Sequence, residues 1–429
     1  MAYHGEMPRE MAWKLLNPQH ASARRRMNAG NKAGTAAGIN IEPGSDDDGW
    51  IVPPPVRLSD GTRVQLYKDG EALHAAFDAI KGAKHRICLE SYIFADDGTG
   101  NAFAELLAKK ASEGVAVYLI YDSVGSLLSG RRMFLNMQKH GVKIRAFHPI
   151  NPLENRYSWR PWNRDHRKLL VVDYDIAGIG GLNVGAEYAG SWVASMGEKK
   201  CSPWRDNAIG IVGPSARVFI RPFSRMWNYI STGGRIRKAE YIYNLDFAMG
   251  DLALLAAVPT VASPLSPFLR KLFREARESI QLTMAYFAPP EEMIDDLCAA
   301  ARRGVRVQIM VPGECDVKLL LTAARSFYEK LLVAGVEVYE RCGAILHAKT
   351  LCVDQRISQI GSTNLDFRSI EYNCEISALL RSEEFGKQMS ELFYNDTLYA
   401  DRITLKEWRK RPTYDRVVQW AVNQSRYLL

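Results

Sequence analysis

From residue 56 onward the apolar positions switch back and forth between a helical and a strand spacing. Glu71 to Lys81 carries its apolar residues at three- and four-residue steps, which predicts an amphipathic helix. Arg86 to Phe94 reads as a strand. Asn101 to Ser112 predicts a second helix closed by Gly114, and Val115 to Tyr121 a buried strand. Met133 to Lys139 predicts a further helix, ended at Gly141, before a strand from Val142 to Phe147.

The same order then returns. Helices are predicted over Pro267 to Glu278, Glu291 to Arg303 and Ala323 to Val333, with Gly304 and Gly335 closing the last two. Strands are predicted over Ser279 to Phe287, Val305 to Val311 and Val336 to Tyr339. Glu113-Gly114-Val115-Ala116-Val117 is echoed by Arg303-Gly304-Val305-Arg306-Val307. This is a duplicated α/β unit and not a short-period solenoid.

The pattern divides the chain into three parts. Residues 1–55 form a basic extension with Arg24-Arg25-Arg26 and a Gly/Ala-rich run, expected to be flexible, with a membrane-surface tether as the sharper alternative. Residues 56–235 form a first domain, and 236–429 a second with a C-terminal helical tail. In that tail, over Tyr414 to Leu429, Val417, Val418, Ala421 and Val422 stand near helical spacing, the pattern of a docking helix, with a membrane anchor as the alternative.

Composition changes this picture only a little. The 429 residues are 47% hydrophobic and 24% charged, as in ordinary folded proteins with room for two domains. The net charge of +8 favours an anionic partner, either acidic lipid headgroups or nucleic acid, against the plainer reading of a solvated basic surface. Seven cysteines, with no C-x-x-C pair, argue against a zinc site or disulfide framework and for a reducing compartment. No run reaches the roughly 18 apolar residues of a spanning helix, and Met1 to Arg26 lacks the pattern of a secretory signal. A soluble or peripheral protein on the cytoplasmic side is expected.

The candidate chemistry is also duplicated. His166-Arg167-Lys168 is followed after four residues by Asp173, and His347-Ala348-Lys349 after four residues by Asp354. Gly180-Gly181-Leu182-Asn183 and Gly361-Ser362-Thr363-Asn364 follow at the same offset of 181 residues. Three fixed residue types recur by chance at about one position in ten thousand, so two copies in register are no accident.

Each motif is predicted to sit on a strand, whose residues Leu169 to Val172 and Thr350 to Val353 are apolar and β-favouring. Side chains two apart on a strand share a face, so His166 goes with Lys168 and His347 with Lys349. Asp173 and Asp354, an odd step away, are members of the catalytic motif but are expected to be structural, pairing with charges or turn amides. Two imidazoles near their usual pKa of about 6.5 can divide attack and proton donation. Two lysines and the two asparagines can hold phosphoryl oxygens as charge develops. That donor set requires no metal and no cofactor. Asp206 and Glu375, one downstream of each motif, are candidates to orient a histidine, or are ordinary acids at strand starts.

The duplicated H-x-K-x4-D resembles the phospholipase D superfamily. The strings from Asp165 to Lys168 and from Gly180 to Tyr188, Trp204-Arg205-Asp206, and Gly361 to Ser369 are similar to those of bacterial cardiolipin synthases. The likeness runs over about residues 56 to 429. It implies two tandem α/β/α domains with mixed sheets, related by a pseudo-twofold axis around one active site. It implies transfer through a phosphohistidine on His166, with His347 as acid and then base. It assigns Lys168, Lys349, Asn183 and Asn364 to phosphate binding, and Asp206 and Glu375 to orienting the histidines. Many members begin with two spanning helices, so a short, peripheral form is expected.

The implied partners are an anionic phospholipid membrane at its cytoplasmic face, phosphatidylglycerol, and phosphatidylethanolamine as an alternative second lipid. No nucleic acid is expected. A hydrolase releasing phosphatidic acid uses the same catalytic residues, and a nuclease is the more distant alternative. Tyr157, Trp159, Arg160, Trp162 and Arg164 crowd the approach to the first motif, as suits a membrane interface or headgroup pocket, or as core packing with surface arginines.

Overall fold

A computed structural model describes residues 50–149, 151, 162–190, 204–233, 250–258 and 263–425. Most of the N-terminal extension, and Tyr157, Trp159, Arg160 and Cys201, lie outside the described residues. The first half contributes β1 (Val56–Arg57), β2 (Arg63–Lys68), β3 (Arg86–Ser91), β4 (Ala116–Asp122), β5 (Lys143–Phe147), β6 (Leu169–Val172), β7 (Ile176–Gly180), β8 (Trp204–Arg205) and β9 (Asn207–Val212). The second contributes β10 (Leu252–Ala257), β11 (Ser279–Met284), β12 (Phe287–Ala288), β13 (Arg306–Pro312), β14 (Glu337–Arg341), β15 (Ile345–Leu346) and β16 (Lys349–Val353). It continues with β17 (Ile357–Gly361), β18 (Leu365–Asp366), β19 (Glu375–Arg381) and β20 (Ala400–Ile403).

Two eight-stranded mixed sheets result, β1-β2-β9-β7-β6-β3-β4-β5 and β10-β19-β17-β16-β11-β13-β14-β20. In each, only three neighbours run parallel, β3-β4-β5 and β11-β13-β14. From β2 to β5 and from β10 to β14 the orders correspond. The sheets differ in their last strand, β1 beyond β2 in one and β20 beyond β14 in the other. The expected two-domain α/β architecture with mixed sheets is what the chain adopts.

Burial explains why the motif strands read as unbroken apolar runs. Leu170 and Val172 of β6 belong to the first half's own core, whereas Leu169 and Val171 face a second core. Strands covered on both faces show no polar alternation. That second core also takes Cys352, Ile376 and Phe385 from the other half, so the halves share packing. A third core serves the second half alone.

The helices fall close to their predicted spans, at Glu71–Gly82, Gly98–Ser112, Arg131–Lys139, Leu265–Glu275 and Glu291–Arg302. Gly114 and Gly304 close two of them with φ of +91° and +92°, a backbone conformation that a Cβ disfavours. The helix predicted over Ala323 to Val333 is two, Lys318–Ser326 and Tyr328–Val333, joined at the buried Phe327. The C-terminal helix Thr413–Gln424 packs on Lys318–Ser326, with Val422 beside Leu320 and Ala323. Cys88, Cys298, Cys352 and Cys374 are buried, but Cys342 is exposed. Among the described residues no helix is long and apolar enough to cross a membrane.

Candidate active site

Both strands predicted to enter the site stop short. β3 ends at Ser91 and not Phe94, and β11 at Met284 and not Phe287. Beyond those points the chain peels off to meet the segment after each motif asparagine. Phe94 bridges Val184, and β12 pairs with β18. The asparagines fix the departure: Ile93 N donates to Asn183 Oδ1 at 3.1 Å, and Tyr286 N to Asn364 Oδ1 at 3.3 Å. Asn183 Nδ2 also donates to the Tyr188 hydroxyl at 2.7 Å.

Backbone pairing between the halves sets the histidines. His166 N donates to Cys374 O at 3.0 Å, and Cys374 N to Arg164 O at 2.8 Å. β15 pairs with β8, so that His347 N donates to Arg205 O at 2.8 Å. Each histidine is thereby pinned beside the residue that precedes an acid of the other half. His166 Nδ1 lies 3.1 Å and 3.3 Å from the two Glu375 carboxylate oxygens, and 3.1 Å from Ser362 O. His347 Nδ1 lies 2.6 Å from Asp206 Oδ2. All these partners only accept, so each Nδ1 carries the proton and each Nε2 is left to the pocket.

The electrostatics keep the rings neutral. Burial, then Lys168 and Lys349, hold His166 well below its usual pKa, and burial with the same lysines does so for His347. Burial and the neighbouring Lys349 bring Lys168 down to about 7. Burial brings Lys349 down to about 8, against the pull of Asp206 and Glu375. Burial pushes Asp206 up to about 6 against Lys349, and Glu375 up to about 7 against Lys168 and the Ser362 hydroxyl. Each lysine ammonium donates to its own motif's histidine carbonyl, Lys168 to His166 O at 2.7 Å and Lys349 to His347 O. β6 starts only at Leu169 and β16 at Lys349, so both histidines and Lys168 stand ahead of the strands on which the sequence placed them.

The two acids are held differently. A Cβ on Gly181 would stand 2.2 Å from Asp206 Oδ1, so only glycine fits there. At the matching position in the second half stands Ser362, whose hydroxyl donates to Glu375.

Asp173 and Asp354, grouped with the catalytic motif by sequence, do not reach this cluster. Asp173 accepts from the amides of Lys84, His85 and Arg86 at 2.7–2.8 Å. Asp354 accepts from those of Arg277, Glu278 and Ser279 at 2.8–3.2 Å. Both adopt a left-handed backbone, with φ of +47° and +52°, which turns the carboxylate off the strand face toward the turn amides. They tie the motif strand's end to the start of its neighbour and touch no reacting group, which corrects their placement among catalytic residues.

His166, His347, Asn183 and Asn364 line one open pocket enclosing about 960 Å³ of empty space. Its walls hold residues to which sequence reasoning gave no role, among them Tyr92, Tyr188, Tyr286, Asp366 and Asn373. The Tyr92 ring stands edge-on to His166 and the Tyr188 ring to His347, at 5.2 Å and 5.4 Å. Tyr92 and Tyr286 were hidden inside predicted strands. Arg164 is buried, with its guanidinium 3.2 Å from Asp122, whereas Trp162 is largely exposed.

Two matched α/β units, with a histidine from each facing one pocket, define the phospholipase D-like class. The chain belongs to the cardiolipin synthase family within it, whose model, "Cardiolipin synthase, PLD-like domain", matches residues 77–191 and 269–397. The chain is 33% identical over 372 residues to the cardiolipin synthase of Halalkalibacterium halodurans, covering 84% of this chain and 71% of that one. It is 32% identical over 376 residues to the cardiolipin synthase of Alkalihalophilus pseudofirmus, covering 85% and 71%. In fold it is similar to the crystal structure of phosphatidylserine synthase from Haemophilus influenzae, with a TM-score of 0.63 at 16% identity over 85% of this chain and 95% of that one.

Proposed function

We propose that this chain is a phosphatidyltransferase that makes cardiolipin from phosphatidylglycerol and a second phospholipid at a membrane surface. The observation that carries the reading is the pair of histidines, each held through Nδ1 by an acid so that both Nε2 atoms serve one pocket. His166 Nε2 attacks the donor's phosphorus. A P–N bond forms and the P–O bond to the headgroup alcohol breaks, while His347, neutral beside the two lysines but taking up a proton at Nε2 once the anionic phosphate offsets them, gives that proton to the leaving oxygen. The hydroxyl of the second lipid then gives its proton to His347 and attacks phosphorus, and the P–N bond breaks. Lys168 and Lys349, with Asn183 and Asn364, hold the non-bridging oxygens as negative charge grows. Glu375 and Asp206 stabilise the positive charge that each ring takes on.

The family relationship supports phosphatidylglycerol as donor, with phosphatidylethanolamine as the alternative partner. The cysteine pattern supports the cytoplasmic face. Purified protein mixed with phosphatidylglycerol vesicles, with and without phosphatidylethanolamine, tests the reading by mass spectrometry beside a His166→Ala control. Cardiolipin with release of glycerol or ethanolamine is expected. Phosphatidic acid alone would make the protein a hydrolase, and no lipid product would reject phosphatidyl transfer.

A further inference from the structure

Two loops occupy matching places in the two halves, and the second of them, with the helix it leads into, lines the pocket through Asp316, Val317 and Leu320. One joins β4 to the helix Arg131–Lys139, and the other joins β13 to the helix Lys318–Ser326. Large apolar side chains reach into solvent at both, Leu127 and Leu128 on the first loop, and Val317 at the end of the second with Leu319 in the first turn of the helix that follows. Leu128 is 97% exposed. Scattered apolar residues on a surface need no explanation, but these each stand within two residues in sequence of one that lines the pocket or bonds to its wall.

Hydrogen bonds fix their position. Ser126, next to Leu127, accepts from Phe94 N at 3.0 Å and donates to Tyr92 O at 3.2 Å, and Tyr92 is a pocket wall. Val317 and Leu320 line the pocket themselves, on either side of Leu319 in sequence. Two aromatic residues complete the rim. Trp162, 54% exposed, accepts from the pocket residue Arg368 through its carbonyl at 3.0 Å, and the exposed Tyr372 directly precedes the pocket residue Asn373.

Cations stand among these apolar tips. Arg131 and Arg132 follow the first pair by three residues and are exposed, and Lys318 separates Val317 from Leu319. Apolar and aromatic tips interspersed with Arg and Lys are the composition that seats in the headgroup layer of an anionic bilayer. A long-chain phospholipid does not leave its bilayer at useful concentration, because each CH₂ exposed to water costs about 0.8 kcal/mol. A pocket that takes one must therefore be applied to the membrane mouth first.

We infer that this rim is a membrane-docking face, with Leu127 and Leu128 of one loop and Val317 and Leu319 beside the other inserted into an anionic bilayer so that the pocket opens onto the headgroups. The inference rests on the lipid-transfer reading of the pocket, and its test separates the two. Flotation of the His166→Ala protein with vesicles of phosphatidylglycerol and phosphatidylcholine in equal parts measures binding while leaving the lipids intact. Leu127→Ser with Leu128→Ser, or Leu319→Ser, should weaken binding about tenfold. Leu398→Ser, an exposed apolar site outside the rim, should not. In the active enzyme the same rim substitutions should slow turnover of vesicles and leave turnover of a dispersed short-chain phosphatidylglycerol unchanged.

Rim variants that float like their parent, or a parent that does not float, overturn the docking face whatever the enzyme makes. A parent that floats through the rim yet converts no lipid supports the face and rejects the transferase. Rim substitutions that dissociate a dimer in solution without affecting flotation would make the rim a contact between copies and overturn the inference.

Discussion

Asp206 Oδ2 lies 2.6 Å from His347 Nδ1, across 141 residues of chain and from one half of the molecule to the other. Glu375 returns the exchange by holding His166. Neither histidine takes its acid from its own half, because β8 pairs with β15 and Asp165 bridges Cys374.

Asp206→Asn should lower kcat about a hundredfold with little change in KM. The substitution removes the charge that fixes and supports the His347 ring but leaves the lysines and asparagines in place. Steady-state rates on phosphatidylglycerol vesicles check this. An effect confined to KM would show that Asp206 acts on substrate binding and not on the histidine.

The two histidines should fail at different steps. With a donor whose leaving group needs no proton, such as a p-nitrophenyl ester, His347→Ala should still release a burst of nitrophenol and accumulate phosphoprotein. His166→Ala should do neither. A burst from His166→Ala would move the nucleophile to His347.

Gly181→Ala should cost nearly as much activity as Asp206→Asn, since its Cβ would fall 2.2 Å from the Asp206 carboxylate. Ser362→Ala, at the matching place, should be milder. It removes a hydroxyl that helps hold the Glu375 pKa down, so the acid limb of the pH profile should shift upward. Circular dichroism confirms that each protein is folded before rates are compared.

The profile of kcat/KM against pH should be a narrow bell centred near 7. Asp206 and Glu375 must be ionised to accept from the rings, so activity falls as pH drops through about 7 to about 6. Lys168 and Lys349 must be protonated to hold phosphate, so activity also falls as pH rises through about 7 to about 8. Lys168→Arg stays charged, and the alkaline limb should move up even if the peak rate drops. An unmoved limb would assign it to another group.

Asp173→Ala should act on stability alone. Loss of a carboxylate that accepts from three amides should cost about 1–3 kcal/mol in urea unfolding. The folded fraction should keep its specific activity, and a large fall there would return Asp173 to the catalytic residues.

Much of this was legible because it rests on local rules. The double motif, its two apolar strands and the glycine helix ends at Gly114 and Gly304 depend on spacing within a few residues. Asp173 turns away from the site as expected, though through its left-handed backbone after β6 and not through strand alternation, since neither it nor His166 lies in the strand. What was not legible depends on distant pairing. Nothing local to Tyr92 or Tyr286 says that β3 and β11 stop early, since the capture by Asn183 and Asn364 that peels them away spans 90 and 78 residues. The crossed acids were hidden for the same reason. Asp206 and Glu375 each follow a motif in sequence, and only the docking of the halves decides which histidine each one serves.

That exchange of acids also ties assembly of the site to synthesis of the whole chain. A ribosome releases the first half long before Glu375 exists, and until then His166 has no acid to hold its ring and no opposite histidine to protonate a leaving group. A half-made chain therefore lacks both the acid and the second histidine, and the site is complete only when both halves have closed on each other.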